Sequence, residues 1–154
     1  MDPITMQPLG TVRGGRTTSE DDDWGGLTCR IELDPAVVTT DATLGLDQFS
    51  HAEVVFVFDG VDPAQVCNGA RHPRGRTDWP LTGILAQRAK DRPNRIGSTV
   101  CRLVSVDGHT IEVEGLDAMD GTPVLDVKPY MLGFAARGEV REPAWATELM
   151  STYW

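Results

Sequence analysis

STVCRLVSVDGHTIEVEGL, residues 98–116, holds two strand-like runs around one turn. Ser98–Val106 is largely apolar and β-branched. Thr110–Leu116 sets Ile111 and Val113 against Glu112 and Glu114, the two-residue period of a strand with one face turned to a core. Asp107-Gly108 between them is a dipeptide that tight hairpin turns favour, because glycine adopts positive φ without a steric clash. The stretch therefore predicts a β-hairpin.

The same signals recur on either side. Thr28–Leu33 places Cys29, Ile31 and Leu33 on one face. Ala52–Phe58 (AEVVFVF) is nearly continuous apolar sequence, too short, β-branched and aromatic for a good helix, and predicts a strand buried on both faces. Pro123–Tyr130 predicts another strand, ending near Pro129. Leu9–Arg13 predicts a weaker N-terminal one, interrupted by Gly10. Only Ala144–Tyr153 reads as helix. Pro143 suits a first helical position, and Trp145, Leu149, Met150 and Tyr153 fall on one face. With 16 glycines and 10 prolines marking turns between strands, the expected fold is all-β: a single β-barrel domain over residues 1–154 with a short C-terminal helix.

A chain of 154 residues, 40% hydrophobic and 24% charged, is long and apolar enough for one soluble globular core and unlike a disordered segment. No apolar run approaches the roughly 18 residues of a membrane span. Met1-Asp2-Pro3-Ile4-Thr5 lacks the basic and apolar regions of a secretory signal. Cys29, Cys67 and Cys101 form no CxxC pair, so neither a disulfide framework nor a zinc site is expected, and a reduced, cytoplasmic setting fits. His51, His72 and His109 have no metal-ligand spacing. His51 reads as a structural hydrogen-bonding residue and His109, after Gly108, as exposed. The absence of GxGxxG and P-loop motifs speaks against a Rossmann methyltransferase or a nucleotide-dependent ATPase. Aromatic residues are too scattered for a base-stacking sheet, and Trp145 and Trp154 read as packing residues.

Net charge is −9, yet Arg71, Arg74, Arg76, Arg88, Lys90, Arg92, Arg95 and Arg102 lie within one stretch opposed only by Asp78 and Asp91. That asymmetry predicts an anion-binding face on an acidic body, or alternatively a solvated basic surface. Two segments are irregular. Thr17–Gly26 carries the acids Glu20–Asp23 and then Trp24-Gly25-Gly26. Asp59–Pro80 is long for a loop and contains Arg71-His72-Pro73-Arg74-Gly75-Arg76, which suggests a phosphate-rich or otherwise anionic partner, with a merely mobile loop as the other reading.

Three further patches carry chemistry. Gly45–His51 precedes the apolar strand. In Arg88–Ser98, Pro93 fixes the turn, Asn94 tolerates left-handed backbone, Gly97 permits close approach, and Arg88 and Arg92 suit a carboxylate or phosphate. A plain surface turn is the other reading. In Glu114–Tyr130, Glu114 or Asp117 suits hydrogen bonds from a ribose or an amine, and acids favour a neighbouring sulfonium cation. Asp120-Gly121-Thr122-Pro123 also reads as a turn in its own right.

FSHAEVVFVFD (49–59), RHPRG (71–75), GILAQRAKDRPNRIGS (83–98) and GLDAMDGTPVLDVKPY (115–130) together resemble, in order and spacing, the TsaA-like family of YaeB/TrmO-type proteins. The likeness spans roughly residues 6 to 154, and the pairing of its RPNxIG and DGTPVLDxKPY blocks is specific. It implies an S-adenosylmethionine-dependent methyltransferase on a single β-barrel, acting as a homodimer on N6 of threonylcarbamoyladenosine at position 37 of tRNA. The resemblance places cofactor contacts at Trp24, Gly25 and Gly26, Asp59 and Gly60, Arg88, Gly97 and Ser98, and Glu114, Gly115, Leu116 and Asp117. Arg71, Arg74, Arg92, Asn94 and Arg95 are expected to hold substrate, and Asp120, Asp126 and Tyr130 to position it or accept a proton. The chain departs from the pattern at Arg95, where the tRNA enzymes typically have proline, and at Leu85, where phenylalanine is frequent. It also ends soon after the Tyr130 block. These departures keep two alternatives open: a small-molecule N- or O-methyltransferase with the same cofactor site, and a non-catalytic module binding S-adenosylmethionine or RNA.

Overall fold

In a computed structural model describing residues 1–154, the strands are β1 (Gly10–Arg13), β2 (Thr28–Leu33), β3 (His51–Val57), β4 (Ala70–Arg71), β5 (Thr82–Gly83), β6 (Ile96–Asp107), β7 (Thr110–Glu114) and β8 (Pro123–Pro129), with one helix, α1 (Ala144–Met150). Six strands close into an antiparallel barrel in the order β1-β2-β7-β6-β3-β8, and β4 pairs with β5 as a separate ribbon. Each wall strand turns alternate side chains inward. Cys29, Ile31 and Leu33 enter from β2, Val54 and Phe56 from β3, Ile111 and Val113 from β7. With Val12, Cys101, Leu116, Ala118 and Val124 they form the core.

The predicted hairpin is present, with Asp107 opposite Thr110 and Gly108, at φ 56°, the first of two loop residues. β1 is a real strand, and Gly10 is what seats it. A Cβ there would lie 2.6 Å from the Glu32 carbonyl oxygen, so only glycine lets β1 approach β2 this closely.

β6 organises the site. Its first half, Ile96 to Arg102, pairs with β3, and its second half, Arg102 to Asp107, pairs with β7. β7 ends opposite Arg102, so the chain after Glu114 runs on beside the first half of β6.

Several sequence expectations are revised. AEVVFVF is not buried on both faces. Ala52, Val54 and Phe56 are sealed inside, while Glu53, Val55 and Val57 are half-buried outside, because a barrel has only one interior. Pro143 stands one residue before the helix, with extended backbone at ψ 152°. Met150 is exposed, whereas Trp145, Leu149 and Tyr153 are half-buried. His109 is half-buried and its Nε2 lies 3.0 Å from the Val38 carbonyl oxygen. His51 hydrogen bonds to the Ser50 hydroxyl at 2.8 Å, and Trp145 packs on Trp79 with ring centres 6.3 Å apart. Trp154 is exposed to more than half its surface. No helix is long and apolar enough to cross a membrane.

Candidate functional site

Asp117 is the hub. Gly115, at φ 80°, turns the chain out of β7, and its N–H donates to the Leu27 carbonyl at 2.9 Å. Leu116 then inserts into the core and anchors the segment. One residue on, the Asp117 carboxylate lies against β6. Thr99 donates its hydroxyl to Oδ1 and Tyr153 donates its phenol to Oδ2. Burial first, and the facing Asp117 second, push the Tyr153 phenol well above its ordinary range, so it stays a neutral donor.

The loop after β1 reaches the same place. Trp24 is buried under the Arg16 guanidinium, which sits 4.5 Å from the ring centre and donates to the carbonyls of Asp22 and Asp23 at 2.6 and 2.5 Å. The N–H groups of Asp23 and Trp24 donate to the carbonyls of Thr152 and Tyr153 at 3.0 and 2.8 Å. Two backbone hydrogen bonds therefore tie the loop to the C-terminal tail. The approach is close: a Cβ on Gly25 would meet the Trp154 carbonyl carbon at 2.7 Å. Beside this seam lies an open groove of about 300 Å³ bordered by Gly25, Val100, Arg102, Glu114, Gly115 and Trp154. Arg102 donates to both Glu114 oxygens, at 2.7 and 3.2 Å, and holds that carboxyl below its ordinary range. The Cys101 thiol at the groove is pushed up to about 12, mainly by burial, and is not a nucleophile near neutral pH.

The basic stretch divides in two. Arg71 grips Asp91 in a bidentate pair, Arg74 bonds Asp22 at 2.7 and 3.1 Å, Arg76 pairs with Asp78 and with Glu148, and Arg102 with Glu114. Asp22, Glu148 and Glu114 come from outside the stretch, so half of its apparent positive charge is neutralised by distant partners. The other four cations meet only neutral acceptors. Arg88 donates to the Ser98 carbonyl, Lys90 to Ser19 Oγ at 2.7 Å, Arg92 to the Gln87 carbonyl at 2.8 Å, and Arg95 to the Val61 carbonyl at 2.8 Å. The uncompensated charge is confined to residues 88–95. Its turn carries Asn94 and Arg95 in left-handed backbone, φ 62° and 53°.

The remaining expected residues are dispersed. Asp59 and Gly60 form an exposed turn after β3, and a Cβ on Gly60 would touch Met119 at 3.7 Å. Gly97 faces inward, where a Cβ would sit 2.6 Å from the Phe56 ring, so its size serves packing. Asp120 accepts from the Gly14 N–H at 2.8 Å. Asp126 pairs with Lys128, and the Tyr130 N–H donates to the His51 carbonyl at 2.9 Å. Asp120, Asp126 and Tyr130 thus each serve a different partner and are not gathered into one cluster. Sequence reasoning overlooked Thr99 and Tyr153. Thr99 had a signal, as a polar residue on the inward parity of β6 between Gly97 and Cys101. Tyr153 had none.

Arg74 holds the Asp22 carboxyl below the ordinary carboxylate range, chiefly by direct hydrogen bonding. A depressed folded-state pKa stabilises above the unfolded value, near pH 4, and that stabilisation is lost as pH falls through the folded value. The melting temperature is expected to fall more steeply below about pH 4 in the wild type than in Asp22→Asn. Superimposable thermal profiles would remove the pair from the stability of the folded chain.

The family model described as the tRNA-methyltransferase O N-terminal domain matches residues 22–135. The human tRNA (adenine(37)-N6)-methyltransferase is 39% identical over 100 residues, covering 65% of this chain and 22% of that protein. A probable S-adenosyl-L-methionine-binding protein of Methanothermobacter thermautotrophicus is 34% identical over 129 residues, covering 82% of this chain and 90% of that protein. The crystal structure of TrmO from Pseudomonas aeruginosa superposes with a TM-score of 0.72 at 27% identity, over 94% of this chain and 62% of that one. The chain thus spans about a fifth of the length of the human relative. β1 and α1 lie outside the matched residues, yet β1 completes the barrel and the tail after α1 reaches Asp117. A match over most of the sequence, on a barrel that solved TrmO structures share, establishes that the chain belongs to the tRNA-methyltransferase O N-terminal domain family.

Proposed function

We propose that residues 1–154 act as one domain that binds S-adenosylmethionine and methylates N6 of threonylcarbamoyladenosine at position 37 of tRNA. The observation that carries this reading is the family match over residues 22–135, joined to relatives named for adenine-37 methylation and for S-adenosylmethionine binding. The bound cofactor supplies a methyl group carried on a sulfonium sulfur.

The residues present fit such a group. A groove of about 300 Å³ is of the size that small-ligand sites begin at, and Gly25 and Gly115 put no side chain on their part of its border. Asp117 and Glu114 suit ribose hydroxyls or an amine, and their charge favours a cation nearby. Trp24, Gly25 and Gly26 cover the site, with Ser98 next to Thr99 and Arg88 bonded to the Ser98 carbonyl. Asp59 and Gly60 lie beyond the end of β3 opposite to His51 and the groove and are assigned no contact. Gly97 and Leu116 contribute backbone only. Arg92, Asn94 and Arg95, with Arg88 and Lys90, carry the uncompensated charge that suits phosphate. Arg71 and Arg74 brace the loops through Asp91 and Asp22. Because Asp120, Asp126 and Tyr130 are separated, we assign the protein's contribution to alignment and water exclusion ahead of a dedicated base. Two copies associate through apolar surface that includes Leu44, Leu132 and Phe134, each more than four-fifths exposed, and the free thiols suit a cytoplasmic setting.

Calorimetric titration with S-adenosylmethionine and its demethylated product tests the reading. Saturable binding is expected, weakened at least about tenfold in Arg88→Ala by loss of a charged contact, followed by methyl transfer to tRNA carrying threonylcarbamoyladenosine. Absence of binding by the folded protein overturns the assignment. Binding without transfer selects a non-catalytic module, a reading favoured by the archaeal relative, which this chain covers almost end to end and which is named for binding alone. Transfer to a metabolite and not to tRNA selects the small-molecule enzyme.

A further inference from the structure

We infer that Tyr153 is a positioning residue of the cofactor site: from the C-terminal tail it fixes the Asp117 carboxylate in the orientation that receives the ligand. The inference rests on the cofactor reading above and names a residue outside the 22–135 region that the family model covers.

Thr99 occupies one Asp117 oxygen and Tyr153 the other. A carboxylate has about four acceptor positions, so two donors fix its plane and leave capacity for a ligand. The phenol is delivered by a segment that is itself tied down in two other places. The carbonyls of Thr152 and Tyr153 accept from Asp23 and Trp24, and Glu148 accepts from Trp79 Nε1 at 2.9 Å and from Arg76 at 3.1 Å. Tyr153 is half-buried and packs edge-on against Trp154, with ring centres 4.9 Å apart, and Trp154 borders the groove. The same tail therefore holds the hub carboxylate and forms an edge of the cavity. A donor that stays neutral and fixed is what a preorganised acceptor needs, since the orientation is settled before the ligand arrives.

Tyr153→Phe keeps the ring, its contact with Trp154 and both backbone hydrogen bonds, and removes only the hydroxyl. Expected is about tenfold weaker binding of the demethylated cofactor by calorimetry, the loss of one hydrogen bond to a charged group. Unchanged or tighter binding overturns the inference, the latter because it would show the phenol competing for the carboxylate. A loosened tail would also weaken binding, so the substitution is repeated in Asp117→Asn and followed by the ligand-induced rise in melting temperature up to millimolar ligand. There Tyr153→Phe is expected to change the apparent affinity less than about twofold. The same tenfold loss in both backgrounds would mean a structural role acting apart from Asp117 and would overturn the inference. Failure of the wild type to bind either form of the cofactor is a different result, removing the cofactor reading itself and this inference with it.

Discussion

Phe56→Ala is expected to lower the unfolding free energy by about 3–5 kcal/mol. The Phe56 side chain is 1% exposed at the centre of the barrel, and its ring meets Phe58 edge-on at 5.2 Å. Two terms add on truncation: the apolar surface no longer buried, and the cavity left behind. The cavity term is large here because the walls are hard to move. β3 is hydrogen-bonded to β6 on one edge and to β8 on the other, so collapse around an alanine would break ladder bonds on both sides. Urea denaturation reads the effect as a lower midpoint at unchanged slope. A loss under about 1 kcal/mol would show that the barrel closes over the space, contrary to the rigid-wall argument.

Gly97→Ala is expected to cost about 3 kcal/mol by the opposite mechanism, overpacking. A methyl at position 97 would lie 2.6 Å from two carbons of the Phe56 ring and 2.9 Å from the Phe58 ring. Neither ring is a flexible chain end, and each blocks the other's retreat through their edge-on contact. Relief requires the β3 and β6 backbones to part where Phe56 pairs with Gly97 in register. The two substitutions should couple. Adding Phe56→Leu to Gly97→Ala is expected to recover at least about 1 kcal/mol relative to the sum of the single changes. Strict additivity in the denaturation series would show that the glycine is required for some other reason.

The charge pattern shows where linear reading fails. Asp78 and Asp91 were visible as neighbours of the basic stretch, but Asp22 reaches Arg74 from 52 residues away and Glu148 reaches Arg76 from 72 residues away. Counting charges within a window treats each as free, whereas folding pairs them. The same limit hid Tyr153. Nothing in the tail marks a tyrosine that meets an aspartate 36 positions earlier, because that meeting depends on backbone pairing between residues 23–24 and 152–153.

The six barrel strands, the hairpin at Gly108 and the inward faces of β2 and β7 were determined by the sequence itself, whereas the two-residue strands β4 and β5 were not legible in it. Alternation and turn chemistry are local, and a pleated backbone turns a two-residue period directly into one buried face. Which arginines keep a free charge, which expected residues surround Asp117, and why Gly10 and Gly97 must be glycine were decided only by the tertiary structure. Those outcomes depend on barrel closure, which sets distances of 2.6 Å between atoms far apart in the chain, and steric exclusion or ion pairing at such contacts leaves no periodic trace in the residues that make them.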